Sequence, residues 1–226
     1  MKNIKQTIFK EAVNQIISNK MLRGVAAKQL DKYLYTSLMS MGRAQLEQEK
    51  LDQYAFMSSI VKQVRTNLDK GFIKPDVMKR MAQVFVGDNY SPDRHKKINP
   101  VKEAYKEKYG DYPPQFITLS PGKGCNLHCV GCYASSDAAV AEKLDFETTR
   151  RIVREAHDIF GSRFMVISGG EPFMYRADGK TILDIFEEFN DMFFLVYTNG
   201  TLITEGLADK LAKLANVTPA ISVEGW

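Results

Sequence analysis

The stretch Arg163-Phe164-Met165-Val166-Ile167-Ser168-Gly169-Gly170-Glu171-Pro172 decides the fold class. Its first half is an unbroken apolar, β-branched run rather than an alternation, the pattern of a strand buried on both faces of a parallel sheet. Two glycines and a proline then stop the strand, and the glycines let backbone approach a ligand closely. Working outward, Gln115-Phe116-Ile117-Thr118-Leu119 reads as an earlier strand. Phe193 to Tyr197 reads as a later one, ending in Thr198-Asn199-Gly200, and Thr218 to Val223 as a last one, ending in Glu224-Gly225. Helical periodicity fills the gaps. Asp145 is placed as an N-cap before Ile152, Val153, Ala156 and Phe160, and helices are expected near 181–190 and 204–216. Strands and helices that alternate from residue 115 onward specify an α/β fold with a parallel sheet.

All three cysteines fall within eight residues, in Gly124-Cys125-Asn126-Leu127-His128-Cys129-Val130-Gly131-Cys132-Tyr133. Three thiolates on one loop can hold three irons of a cubane cluster and leave the last iron open to a small chelating ligand. A disulfide framework needs an even count and a secreted context. A zinc site could borrow His128, but adjacent His128 and Cys129 rarely both reach one tetrahedral ion. Buried cysteine can also be plain core, although that does not explain why all three share one Gly-flanked loop. The spacing favours iron–sulfur.

Cys125-x3-Cys129-x2-Cys132, followed by a helix, a strand and Gly169-Gly170-Glu171-Pro172, resembles the signature of the radical S-adenosylmethionine (radical SAM) superfamily. That superfamily often has an aromatic residue just before the third cysteine; here the position is Gly131, with Tyr133 immediately after. The resemblance implies that Cys125, Cys129 and Cys132 ligate a 4Fe–4S cluster. It implies that Gly169, Gly170 and Glu171 lie along the methionine end of S-adenosylmethionine. Ser222 and Glu224, at the end of the fourth strand, would contact the ribose, and alternate strand residues do share a face. Asn199 reads either as a turn former or as a residue facing cofactor or substrate.

The activity implied is reductive cleavage of S-adenosylmethionine to a 5′-deoxyadenosyl radical that abstracts hydrogen from a substrate. An electron donor such as flavodoxin or ferredoxin would be a partner. The residues around the cysteines are similar to branches that modify peptides or build cofactors, with lipid and RNA left open. Full members carry six strands in an open (β/α)6 barrel. Four are expected here, over residues 115–226, so the chain is expected to be a truncated fragment that holds an incomplete barrel. Auxiliary clusters would need further cysteines beyond it. The competing classes are a non-catalytic iron–sulfur electron carrier, a zinc-binding interaction module, and a scaffold whose N-terminal helices recruit a partner.

Composition narrows the setting. Hydrophobic residues make up 44% and aromatics 11%, enough for a real core. A formal charge of +4 is too small to argue for nucleic acid. No stretch is long and apolar enough to span a bilayer, and the N-terminus lacks the apolar core of a secretion signal. A reducing, cytoplasmic setting is expected. Residues 1–90 read as a helical accessory region, with stripes at Ile4, Ile8, Ala12, Val13 and Ile16, at Leu30, Leu34, Leu38 and Met41, and at Tyr54, Met57, Val61, Val64 and Leu68. A short helix follows Pro75. Residues 91–114 read as a linker with a helix from Asn99-Pro100 to about Tyr109. His157, mid-helix among charged residues, reads as surface.

Overall fold

The computed structural model describes residues 11–40, 46–86, 100–114, 117–137, 139 and 142–223. The chain divides into two units, Met1–Ala82 and Gln83–Trp226, a boundary eight residues earlier than the composition shift suggests. In the first unit, helical residues 11–18 (α1) end at Asn19, whose side chain restarts the helix by accepting the Met21 and Leu22 N–H groups at 2.9 and 3.2 Å. The helices α2 (Lys20–Met39), α3 (Glu47–Asp69) and α4 (Pro75–Val86) follow, and Pro75 opens α4 as expected.

The apolar stripes are only half used. Ile17, Leu68 and Ala82 are buried, with Val13, Val64, Ile73 and Met78 packed against them. Leu30 and Met57, expected on packing faces, are 40% and 41% exposed, and α2 buries no residue at all. Ile4, Ile8 and Met41 lie outside the described residues. Polar clamps join α2 to α3 instead. Arg23 donates to Asp69 Oδ1 from Nε and Nη2 at 2.9 and 2.7 Å, and Tyr54 donates to Asp31 Oδ2 at 2.9 Å. Ser58, which is buried, also donates to Asp31. Because these donors favour the charged form, the Ser58 and Tyr54 hydroxyls hold Asp31 below the usual carboxylate range. Arg23 does the same for Asp69.

The second unit takes in the end of α4 and continues with α5 (Pro100–Tyr109), where Tyr105 packs edge-on against Phe160 at 5.4 Å between ring centroids. The sheet then forms from β1 (Ile117–Leu119), β2 (Phe164–Ile167), β3 (Phe193–Thr198) and β4 (Val217–Ile221), all parallel, in the order β1-β2-β3-β4. Three helices connect them: α6 (Phe146–Asp158) between β1 and β2, α7 (Ile182–Glu188) between β2 and β3, and α8 (Glu205–Leu214) between β3 and β4. Sequential order without reversal is how a (β/α) barrel grows, whereas a doubly wound sheet reverses at its switch point. The sheet is open, with β1 and β4 at its edges.

Each helix starts on a side-chain cap. Asp145 accepts the Thr148 N–H at 2.6 Å, Thr181 and Asp184 form a capping box, and Thr204 caps α8. The core runs through Val153, Met165, Ile167, Ile185, Phe186 and Phe194. The fully buried Asn216 donates to the carbonyls of Phe186 and Phe189 at the end of α7. The sequence reading missed a hairpin, Arg176–Ala177 paired with Lys180–Thr181. Its turn is Asp178-Gly179, both at positive φ, the dipeptide that such two-residue turns favour. Asp178 then accepts the Phe146 N–H and ties the hairpin to the start of α6.

His157 is not simply surface. Its ring sits between the carboxylates of Asp158 and Asp191, with Nδ1 and Nε2 at 2.6 and 2.8 Å. Burial opposes charge on Asp191, but the hydrogen bond and charge of His157, with Arg163, hold its carboxyl below the ordinary range. No helix among the described residues is long and apolar enough to cross a membrane.

Candidate active site

In an open parallel sheet the loops that leave the carboxyl ends of the strands line the ligand crevice. The described residues singled out from the sequence for the site come from these loops. The cysteine loop follows β1, Gly169-Gly170-Glu171 follows β2, Asn199 follows β3 and Ser222 follows β4. Glu224 lies outside the described residues.

The first two loops interlock through backbone. Gly170 N–H donates to Gly122 O at 3.0 Å, and Glu171 N–H donates to Gly124 O at 2.8 Å. A Cβ on Gly170 would sit 2.2 Å from Gly124 O, and one on Gly169, at φ +113°, would sit 2.5 Å from Gly122 O. Neither position tolerates a side chain, because the obstruction is backbone rather than a movable side-chain end. The close approach expected of these glycines is therefore made to the cysteine loop itself.

Glu171 is buried and its carboxylate bridges β2 to β3. Thr198 Oγ1 lies 2.9 Å from both carboxylate oxygens, Asn199 N–H donates to Oε2 at 2.9 Å and Phe173 N–H donates to Oε1 at 3.1 Å. A buried charge needs such a set of donors, since isolated it would be strongly disfavoured. Downstream, the Asn199 carboxamide settles its own turn, with Oδ1 accepting from Thr201 N–H at 3.0 Å and Thr201 Oγ1 at 2.7 Å. Its Nδ2 reaches the cysteine loop, donating to Asn126 Oδ1 at 2.9 Å and to Cys125 Sγ at 3.7 Å. Asn126 returns a bond to Thr201 Oγ1 at 2.8 Å.

The three thiols are free. Cys125 is buried, Cys132 half-buried and Cys129 exposed. The backbone N–H groups of Ser136, Ala134 and Ser135 gather at Cys132 and hold its thiol below the ordinary range, against the opposing effect of burial. Gly131, at φ +76° with open space around it, makes the turn between the last two cysteines. An L-residue there would be strained, so the aromatic ring of this loop is Tyr133, whose OH meets Ser168 Oγ at 2.8 Å. His128 Nδ1 lies 3.8 Å from Asp137 Oδ2. Among the described residues no three His, Cys, Asp or Glu side chains gather tightly enough for a single metal ion. Amide donors at two of three thiol sulfurs, on a loop with an exposed third, suit thiolate ligation of a cluster, since hydrogen bonds to sulfur accompany such ligation. Ser222 is exposed at the same edge, its N–H donating to Thr198 O at 2.9 Å.

Thr198, Asn126, Thr201 and the 134–136 backbone were not found from sequence. The Thr198-Asn199-Gly200 run signalled a turn, with Asn199 as its one candidate for a site contact. Its link to the cysteine loop spans more than seventy positions and depends on strand register.

A thiol loop locked against a Gly-Gly-Glu turn at the carboxyl edge of a parallel α/β sheet lies where such sheets bind ligands. Residues 119–226, the part of the chain that holds the sheet and the cysteine loop, match the Radical SAM superfamily. Among curated proteins, the AdoMet-dependent heme synthase of Methanosarcina barkeri is 30% identical over 115 residues, covering 50% of this chain and 32% of that protein. The Fe-coproporphyrin III synthase of the same organism is 34% identical over 102 residues, covering 45% of this chain and 25% of that protein. The chain thus spans about a third or less of the length of these relatives. Streptococcus suis SuiB bound to S-adenosylmethionine is a solved structure similar to this chain, with a TM-score of 0.43 and 21% identity, covering 74% of this chain and 38% of that one.

Proposed function

We propose that this chain carries the cluster-binding and cofactor-binding part of a radical SAM enzyme. Cys125, Cys129 and Cys132 would hold a 4Fe–4S cluster. The Gly169-Gly170-Glu171 turn and Ser222 and Glu224 would flank the methionine and ribose ends of S-adenosylmethionine. When bound, the pair supplies an electron and a scissile sulfur–carbon bond, giving methionine and a 5′-deoxyadenosyl radical that abstracts hydrogen from substrate. The chain's own residues bind, orient and shield that chemistry. Backbone donors favour the thiolate form of Cys132 over the thiol. Gly169 and Gly170 let the β2 turn lie directly on the cysteine loop, and Glu171 fixes the tip of β3 beside it. The reducing electron would come from a flavodoxin or ferredoxin, in a cytoplasmic setting. The names of the curated relatives favour a cofactor precursor over a peptide as substrate.

The single observation that supports this reading most is the interlock of the thiol loop with the Gly169–Glu171 turn, because a simple electron carrier has no use for the second element. Anaerobic reconstitution with iron and sulfide, then dithionite and S-adenosylmethionine, should yield 5′-deoxyadenosine from protein holding about four irons per chain. Cys129→Ala should lose both the iron–sulfur absorption and the product. Iron uptake equal to wild type in that variant would sink the cluster assignment, and full clusters without product would leave an incomplete barrel or an electron carrier, which an assay of a full-length chain separates.

A further inference from the structure

Asn199 sits where two loops meet, and its carboxamide is fully used. The oxygen end is held by Thr201, and the nitrogen end is shared between Asn126 Oδ1 at 2.9 Å and Cys125 Sγ at 3.7 Å. Its backbone N–H is anchored on the buried Glu171 carboxylate, so the residue is fixed at three points before it touches sulfur. Cys125 is the most buried of the three cysteines, where a donor to sulfur acts with little competition from water.

We infer that Asn199 is a positioning residue that tunes the Cys125 thiolate, and that Glu171 acts on the site through it. This rests on the cluster reading given above. The physical step is simple. Reduction adds negative charge to the cluster and its sulfurs, so an N–H aimed at a ligand sulfur stabilises the reduced form more than the oxidised one. Removing the donor should make reduction harder and the potential more negative. The chain Glu171 to Asn199 to Cys125 also gives the buried glutamate a route to the cluster sulfur.

The test uses the full chain, reconstituted anaerobically, with the reduction potential read by a dithionite titration followed by electron paramagnetic resonance. Asn199→Asp is the first variant. It retains the oxygen that Thr201 donates to, loses the N–H donors to Cys125 and Asn126, and adds a carboxylate charge that also disfavours reduction, so Asn199→Ala isolates the donor itself. With iron content unchanged, its reduction equilibrium should fall at least tenfold, which is 59 mV for a one-electron couple. Asn199→Ala should shift the potential in the same direction and serves if the aspartate variant fails to fold. Thr201→Val disturbs the same turn but leaves the donor to sulfur, so its potential should stay near that of wild type. A full cluster with unchanged potential in both Asn199 variants overturns the inference, as does an equal shift in Thr201→Val. A wild-type chain that takes up no iron–sulfur cluster overturns instead the reading on which the inference rests.

Discussion

The two units of this chain solve the same problem in opposite ways. In the α/β unit, Phe186, Phe194, Met165 and Ile167 are almost completely inaccessible, and every connecting helix begins on a hydrogen-bonded cap. In the helical unit, α2 runs for 20 residues without burying one, and Met21, Phe56 and Phe72 are 79%, 65% and 75% exposed. Hydrophobic burial is the dominant stabilising term where it is available. Where it is scarce, the pairing of α2 with α3 leans on Arg23–Asp69 and on Asp31 with Tyr54 and Ser58. An apolar stripe therefore does not report a core until a partner covers it.

The sharpest way to break this comparison is to remove one phenyl ring from each unit. Phe194→Ala opens a cavity beneath the sheet beside Phe186, whose ring centroid lies 4.7 Å away. It should cost about 4 kcal/mol of unfolding free energy. Phe56→Ala, at an exposed site, should change stability by less than about 0.5 kcal/mol. Urea melts resolved by hydrogen exchange over each unit would read both. Equal losses would mean that Phe56 is covered and that the helical unit has a core of the ordinary kind.

Glycines sharpen it next. Gly170→Ala drives a methyl group into the Gly124 carbonyl, with nothing but backbone able to yield, and should cost about 3 kcal/mol. Gly71, at φ +76° just beyond α3, has open space around it, so Gly71→Ala should cost only the left-handed penalty of about 1 kcal/mol. The Gly170 variant should also lose iron on reconstitution, since the shift is transmitted to the residue before Cys125. Retention of full stability there would show that the two loops are less tightly joined than their hydrogen bonds indicate.

What the sequence made legible follows the same division. Strand runs such as Phe164 to Ile167 and the Asp145 cap are local signals, and each was readable with its role. The apolar stripe of α2 was equally visible but misleading, because periodicity tells which face is apolar and not what lies against it. The Glu171–Thr198–Asn199–Cys125 network was not readable either. It exists only because β2 pairs with β3 in a register that sets Ile167 against Val196 and brings the two strand ends together. The Asp178-Gly179 turn could have been read, since that dipeptide is a hairpin signal in itself.

The smallest effect separates the units by their response to acid. Asp31 and Asp69 in the helical unit are held below the ordinary aspartate value of 3.8, by Ser58 and by Arg23 respectively. In the α/β unit Asp145 and Asp184 lie below it through backbone N–H donors at their helix caps, and Glu188 lies below its ordinary 4.5 through Arg150. A carboxylate whose folded pKa is depressed binds fewer protons folded than unfolded. Its contribution is therefore complete above the ordinary value and is lost as pH falls through that value towards the folded one. Both units should keep their stability from pH 7 to 5 and lose some below about 4.5. The helical unit has the smaller core to fall back on, so it should open first. Limited pepsin digestion stepped from pH 5 to pH 3 should cut within 20–70 before it cuts within 146–196. First cuts in the second range would mean that the polar clamps of α2 and α3 are secondary to packing, and the contrast between the units would collapse.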